Sequence, residues 1–249
     1  MEKVYIYDGS FKSLIILIIT LLKNNIKPNN IKKDGYNANI FEESAYLEVD
    51  KNINIYKAIH HFEILKTCFN VYLSLEENKE LIIFYFLLNY LKYKEKVIYL
   101  RKLKCVSETL RISNHVKHEA HRFKGFVRFK ELDNKVLYAE IEPDNNILPL
   151  IKEHFEKRLS KELWIIKDVK RKLLCIYDKK KSYIVSENEF KLLNINLSKS
   201  EKEIEILWQE FYKTIGIKER KNDRCRMNFM PKKYWKNILE VSDDYEKNY

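Results

Sequence analysis

Glycine and proline are scarce in this 249-residue chain, with four of each, which excludes a collagen-like or linker-dominated protein. So few glycines can hardly form a loop whose backbone amides cradle phosphate. No GxGxxG, Walker loop or GxSxG occurs, so nucleotide-driven chemistry is disfavoured and no cofactor is expected. The four cysteines, at 68, 105, 175 and 225, form no CxxC pair and no CxxxCxxC trio. A disulfide framework, a zinc ribbon and an iron-sulfur site therefore lack their usual spacing, and a reducing cytoplasm is the expected compartment. Long apolar runs are also missing. The longest, Leu14 to Leu22, broken only by Thr20, is about half the roughly 20 residues that a bilayer-crossing helix needs. Glu2 and Asp8 stand where a signal peptide would be basic, and Lys-Asn-Asn follows where small residues should mark cleavage. The run reads as a buried helix, and no membrane association is expected.

What is present is a core-forming composition, 45% hydrophobic with 17 Tyr, 13 Phe and 3 Trp, and a net charge of +11. Of the 47 basic residues 38 are Lys, so the total alone carries little weight. The distribution says more: residues 1 to 100 have net charge +1, residues 101 to 249 have +10, and all nine Arg lie in the second group. Arg pairs with phosphate in a planar fork that Lys cannot copy, so this bias points to an anion-binding surface in the second half.

Along the chain, VYIY (4 to 7) alternates like a strand, and Asp8-Gly9-Ser10 supplies a turn and N-cap for a helix from about Phe11 to Lys23. A loop follows Pro28, with a brief strand near Tyr46 to Val49. Helical spacing then covers Ile55 to Tyr72, Lys79 to Leu91 and Lys96 to Arg122, with Gly125 as a stop. Beyond it the period becomes two, and Val127 to Lys130 and Leu137 to Glu142 form a hairpin about Asp133-Asn134-Lys135. Sharing one apolar face sets Arg128 opposite Glu140 and Val127 opposite Ile141. A helix over Ile147 to Leu159, strands at Leu163 to Lys167, Leu173 to Tyr177 and Ser182 to Val185, a helix over Ser200 to Ile217 and a basic tail complete the reading. The expected class is α+β: a mainly helical region, 1 to 122, packed with an antiparallel sheet flanked by helices, 123 to 249, as two regions or one integrated domain.

Three constellations carry possible chemistry. His115, His118 and His121 recur every third position beside Glu119, but the HExxH spacing is absent, so no metal site is assigned. Glu140, Glu142 and Asp144 cluster in YAEIEPD, where ordinary salt bridges outweigh catalysis. RFKGFVRFK (122 to 130) and KERKNDRCRMNFMPKKYWKN (218 to 237) alternate cations with rings, a combination suited to phosphates and exposed bases of single-stranded or distorted nucleic acid. Packing competes with stacking there: Phe129, Phe229 and Trp235 read as core residues, and Phe123 and Phe126 read as packed.

The ordered blocks HEAHRFKGFVRFKEL (118 to 132), YAEIEPDNNILPLI (138 to 151), HFEKRL (154 to 159), WIIKD (164 to 168) and FMPKKYWKN (229 to 237), with YDGSF at the start, resemble the DUF4130 family of probable DNA metabolism proteins. The family pattern falls on Glu119, His121, Arg122, Gly125, Val127, Arg128 and Phe129, on Glu142, Pro143 and Asp144, on Arg158, and on Met230 through Trp235. The resemblance assigns none of them a catalytic role. It implies a module also found fused to uracil-DNA-glycosylase-like proteins, and a stand-alone form that works beside a radical-SAM DNA modification or repair protein. Fusion-type members carry a basic residue where His118 stands. Lys167 stands where the stand-alone pattern tends to have His, so no histidine function transfers there.

The leading expectation is a cytoplasmic accessory factor that binds DNA through Arg122, Lys124, Arg128, Arg220, Arg224, Lys232, Lys233, Tyr234 and Trp235. The alternative is an enzyme acting on a nucleobase or nucleotide with His121, Glu142 and Asp144 as its polar centre, which requires those groups to converge in one pocket. A protein-binding adaptor is a third class, marked by an exposed apolar patch with little positive potential.

Overall fold

A computed structural model describes residues 2–37, 42–48, 53–189, 196–215, 217, 220 and 222–239. The chain divides into two compact units, Met1–Lys117 and His118–Tyr249.

In the first unit, β1 (Glu2–Tyr7) leads through Asp8-Gly9-Ser10 into α1 (Phe11–Lys23). Gly9 sits at φ +90°, where a side chain is strained, and the Ser10 hydroxyl caps the helix by accepting the Ser13 N–H at 3.1 Å. Two further strands, β2 (Asn30–Lys33) and β3 (Glu42–Ala45), pair parallel to β1 on either side of it. Asn30–Lys33, expected to be loop, is therefore a strand. The strand anticipated near Tyr46 lies earlier, and Val49 falls outside the described residues. Two neighbours in a parallel sheet suit the apolar β1, whose Val4 to Tyr7 are all buried.

α2 (Ile55–Ala58), α3 (Phe62–Tyr72), α4 (Lys79–Tyr93), a 3-10 helix (Lys94–Tyr99) and α5 (Lys104–Phe126) follow. The core joins Leu14, Ile15, Ile18 and Leu21 to Ile64, Cys68, Ile83, Phe84 and Phe86, each such side chain contributing roughly 1.5–3 kcal/mol on burial. Tyr7 donates to the buried Glu80 at 2.9 Å. Among the described residues no helix is long and apolar enough to cross a membrane.

The second unit begins within α5, whose last turns feed β4 (Lys130–Glu131), β5 (Leu137–Ile141), α6 (Leu148–Arg158), β6 (Trp164–Asp168), β7 (Leu173–Tyr177) and β8 (Ser182–Ser186). The sheet runs β4-β5-β6-β7-β8. It is mixed rather than antiparallel: β5 and β6 are parallel because α6 crosses between them. The hairpin keeps the expected register, with Lys130 opposite Tyr138 and Glu131 opposite Leu137, but its ladder is short. α5 stays helical past Gly125 to Phe126, so Arg128 never pairs with Glu140. Arg128 faces Glu201 at 3.6 Å, and Glu140 accepts the Tyr138 hydroxyl at 2.7 Å.

α7 (Lys199–Ile215), α8 (Asp223–Phe229) and a 3-10 helix (Lys232–Asn237) complete the unit, so part of the expected basic tail is helical. One sheet face sets Ala139, Ile141, Trp164, Ile166, Cys175 and Tyr177 against Ile151 and Phe155 of α6, Phe123 of α5, and Tyr234 and Trp235. The other packs Tyr138, Ile165 and Leu174 with Leu132. Phe229, expected in the core, is 74% exposed.

Candidate nucleic-acid interface

The second unit is organised by one buried carboxylate. α5 turns Ile112, Val116, Glu119, Ala120 and Phe123 inward and leaves His115, His118, His121 and Arg122 exposed, as a 3.6-residue period requires. Glu119, 2% exposed, accepts four hydrogen bonds. The backbone N–H of Asp144 (2.8 Å) and the Tyr234 hydroxyl (2.7 Å) reach Oε1, while the backbone N–H (2.9 Å) and side-chain amide (2.6 Å) of Asn145 reach Oε2. These donors hold a buried charge in place without a cation. They also tie three distant blocks together: the last turns of α5, the Glu142–Asn145 turn and the carboxy-terminal MPKKYW segment. Tyr234 resists ionisation well beyond the usual tyrosine range, first because it is buried and then because Glu119 accepts its proton in a hydrogen bond.

The turn is clasped from its other side by Arg171, which donates to the carbonyls of Pro143 (3.2 Å) and Asp144 and pairs with the fully buried Asp168 at 3.0 Å. Burial raises the Asp168 carboxyl above its ordinary value despite Arg171. The Asp144 carboxylate accepts from Lys170 (3.0 Å) and from Lys233. Burial pushes its pKa up, but the two ammonium groups outweigh that and hold it below the usual range.

Around this frame, Trp235 donates its indole N–H to the Met230 carbonyl at 2.8 Å. The Arg226 guanidinium lies 4.6 Å and the Lys232 ammonium 5.9 Å from the Trp235 ring centroid, and Lys233 lies 4.9 Å from that of Tyr234. Tyr234 in turn packs edge-on against Phe123, with centroids 4.9 Å apart. Tyr234 and Trp235 are thus packed inside, and their rings are not presented for stacking.

The other expected contact residues differ in exposure. Arg122, Arg220, Arg224, Lys232 and Lys233 are exposed, while Lys124 and Arg128 are half-buried. Burial, followed by Lys124 and Arg158, lowers the His154 pKa, which sets those two cations near one imidazole. Redrawn at the unit boundary, the charge bias also changes: residues 1–117 carry 18 basic and 13 acidic groups, net +5, and residues 118–249 carry 29 and 23, net +6. The excess in the first unit lies mostly between Arg101 and Lys117, with five basic groups and one acidic.

His121, Glu142 and Asp144 do not converge. Two residues along a helix is a rotation of about 200°, so with Glu119 bound to the Asp144 backbone, His121 points away from that turn. The depression lined by Glu140, Glu142, Lys233 and Tyr234 has a volume near 10 Å³, too small for a nucleobase. Among the described residues, no group of three His, Cys, Asp or Glu could hold a metal ion.

Sequence reasoning passed over Asn145 and Arg171. It noted Glu119 as a neighbour of the histidines and as a position of the family pattern, without a structural role. The available signal was its place on the apolar side of α5, with Ala120 and Phe123.

No curated protein and no solved structure matches the chain. A family model described as a domain of unknown function, DUF4130, matches residues 77–240 and so includes every element of the Glu119 frame, while the YDGSF block lies outside it. The chain belongs to the DUF4130 family.

Proposed function

We propose that the chain is a cytoplasmic nucleic-acid-binding accessory factor in DNA repair or modification, acting beside a radical-SAM protein that carries the reaction. One observation supports this reading above others: Arg226, Lys232 and Lys233 gather around the buried Tyr234–Trp235 pair. Arg226 and Lys233 hold Asp223 and Asp144, and Arg122 and Lys232 stand exposed. In this reading Tyr234 and Trp235 position the cations instead of stacking on bases. The exposed Phe229, at the end of α8 beyond Arg224, supplies the ring that single-stranded or distorted DNA would use.

Anisotropy titration of labelled single-stranded DNA at increasing salt tests the proposal. Log affinity should fall linearly with log salt, by about 0.7 per phosphate contacted. Lys232→Ala/Lys233→Ala should weaken all sequences alike and reduce that slope by about 1. Binding insensitive to salt, or to the double substitution, would overturn the reading. The partner is tested by co-purification with a radical-SAM protein, followed by the same titration with and without it.

A further inference from the structure

Three consecutive lysines, Lys179 to Lys181, occupy the turn from β7 to β8. Asp178 shapes that turn: its Oδ1 accepts the backbone N–H groups of Lys180 (2.9 Å) and Lys181 (2.7 Å). The turn is fastened to α6. Glu156 accepts from the Ser182 N–H at 3.2 Å and from its hydroxyl, and the Tyr177 hydroxyl reaches the Ser160 carbonyl at 3.4 Å. The three lysines are exposed, as are Lys157, Arg158 and Lys161 at the end of α6, although Arg158, two residues on from Glu156, is turned away from this contact.

Within the turn the three lysines face one exposed carboxylate, Asp178, which already holds two amides. Lys157 and Arg158 also complement the carboxy-terminal end of the α6 dipole. That accounts for two cations and leaves the four at Lys161 and in the turn. Beside the turn, on the sheet face opposite α6, Tyr183 of edge strand β8 is 48% exposed, with the Lys181 ammonium 5.8 Å from its ring centroid. A rigid hairpin that presents clustered cations next to an open aromatic ring fits a phosphate chain with a base stacked on the ring. A purely acidic peptide has no use for the ring.

We infer that the β7–β8 turn and the adjoining Tyr183 form a second docking surface for single-stranded nucleic acid, with phosphates on Lys179, Lys180 and Lys181 and a base on Tyr183. The inference rests on the nucleic-acid reading above and adds a site to it.

The test is a salt-dependent anisotropy titration of the full chain with a labelled oligothymidylate about 20 nucleotides long. Lys179→Glu/Lys180→Glu/Lys181→Glu should weaken binding at least about tenfold and reduce the log–log salt slope by about 2. Tyr183→Ala should weaken it about fivefold or more with the slope unchanged, a split that a general charge effect does not produce. The milder Lys179→Gln/Lys180→Gln/Lys181→Gln variant, with a wild-type circular dichroism spectrum, guards against misfolding and should show the same slope change. If the wild type binds but all three variants match it, this surface is overturned and the nucleic-acid reading stands. If the wild type fails to bind oligothymidylate, or binds polyglutamate or phosphatidylserine vesicles as tightly, both fall.

Discussion

Each unit joins a buried glutamate to a tyrosine far away in the chain, but the two carboxylates are held differently. Tyr7 reaches Glu80 across 73 positions and Tyr234 reaches Glu119 across 115. Glu80 sits in the first turn of α4, where the helix dipole favours a negative charge, and it borders a dense aliphatic core. Glu119 lies well inside α5, away from that end, and is held by four donors from a turn and the carboxy-terminal 3-10 helix. The lesson is one of division of labour. Apolar burial assembles the first unit, whereas in the second a polar network adds one acceptor that answers the Asp144, Asn145 and Tyr234 donors together.

Substitutions can break or sharpen that contrast. The largest effect is expected for Glu119→Ala, which leaves the Tyr234 hydroxyl, two backbone N–H groups and the Asn145 amide short of an acceptor. About 3–5 kcal/mol should be lost in denaturant unfolding, with hydrogen exchange rising around Asp144 and Tyr234. Glu80→Ala should cost about 1–3 kcal/mol, and equal losses for the two would erase the distinction.

Smaller effects follow for the tyrosines. Tyr234→Phe and Tyr7→Phe should each cost about 0.5–1.5 kcal/mol. Burial first, then the neighbouring glutamate, holds both hydroxyls protonated beyond the usual range. Their contribution is therefore present below the ordinary tyrosine pKa of about 10 and lost as pH rises past it. Each Phe variant should flatten the alkaline limb of a stability–pH curve, and an unchanged limb would count against these hydrogen bonds.

The smallest effect is expected at Asp144, whose depressed folded pKa gives stability above the ordinary carboxylate value of about 4 that is lost as pH falls. Asp144→Asn should cost about 0.5 kcal/mol at neutral pH, as partly exposed pairs do, and nothing at about pH 2. A loss that persists in acid would mean that packing matters there, not charge.

Much of the fold was legible because it is local. The Ser10 cap, the apolar period of α1 and the alternation of β7 and β8 each place an element within a few residues. β2 escaped because Asn30–Lys33 has a single buried apolar residue, Ile31, so its pairing with β1 supplies what its own pattern lacks. The hairpin register was readable from the shared apolar face. The length of its ladder was not, since that depends on α5 persisting through Gly125 and on Arg128 finding Glu201. In the candidate interface, the cations were readable as types and Trp235 as a packed ring, but Tyr234 and Phe229 were misplaced. Tyr234 and Trp235 turned inward and Phe229 outward because the Glu119 hydrogen bond and the Met230 carbonyl capture the first two.

By itself the sequence determined most of the helices and strands, the absence of a membrane-crossing run among the described helices, and the blocks that mark the family. Only the tertiary structure decided which charges are spent and which are available. Lys233 is held by Asp144, whereas Lys179, Lys180 and Lys181 stand exposed in the β7–β8 turn. The reason is physical: propensity and periodicity act over a few residues, while the partner of a charge is set by what folding brings within about 4 Å of it, whatever the distance along the chain.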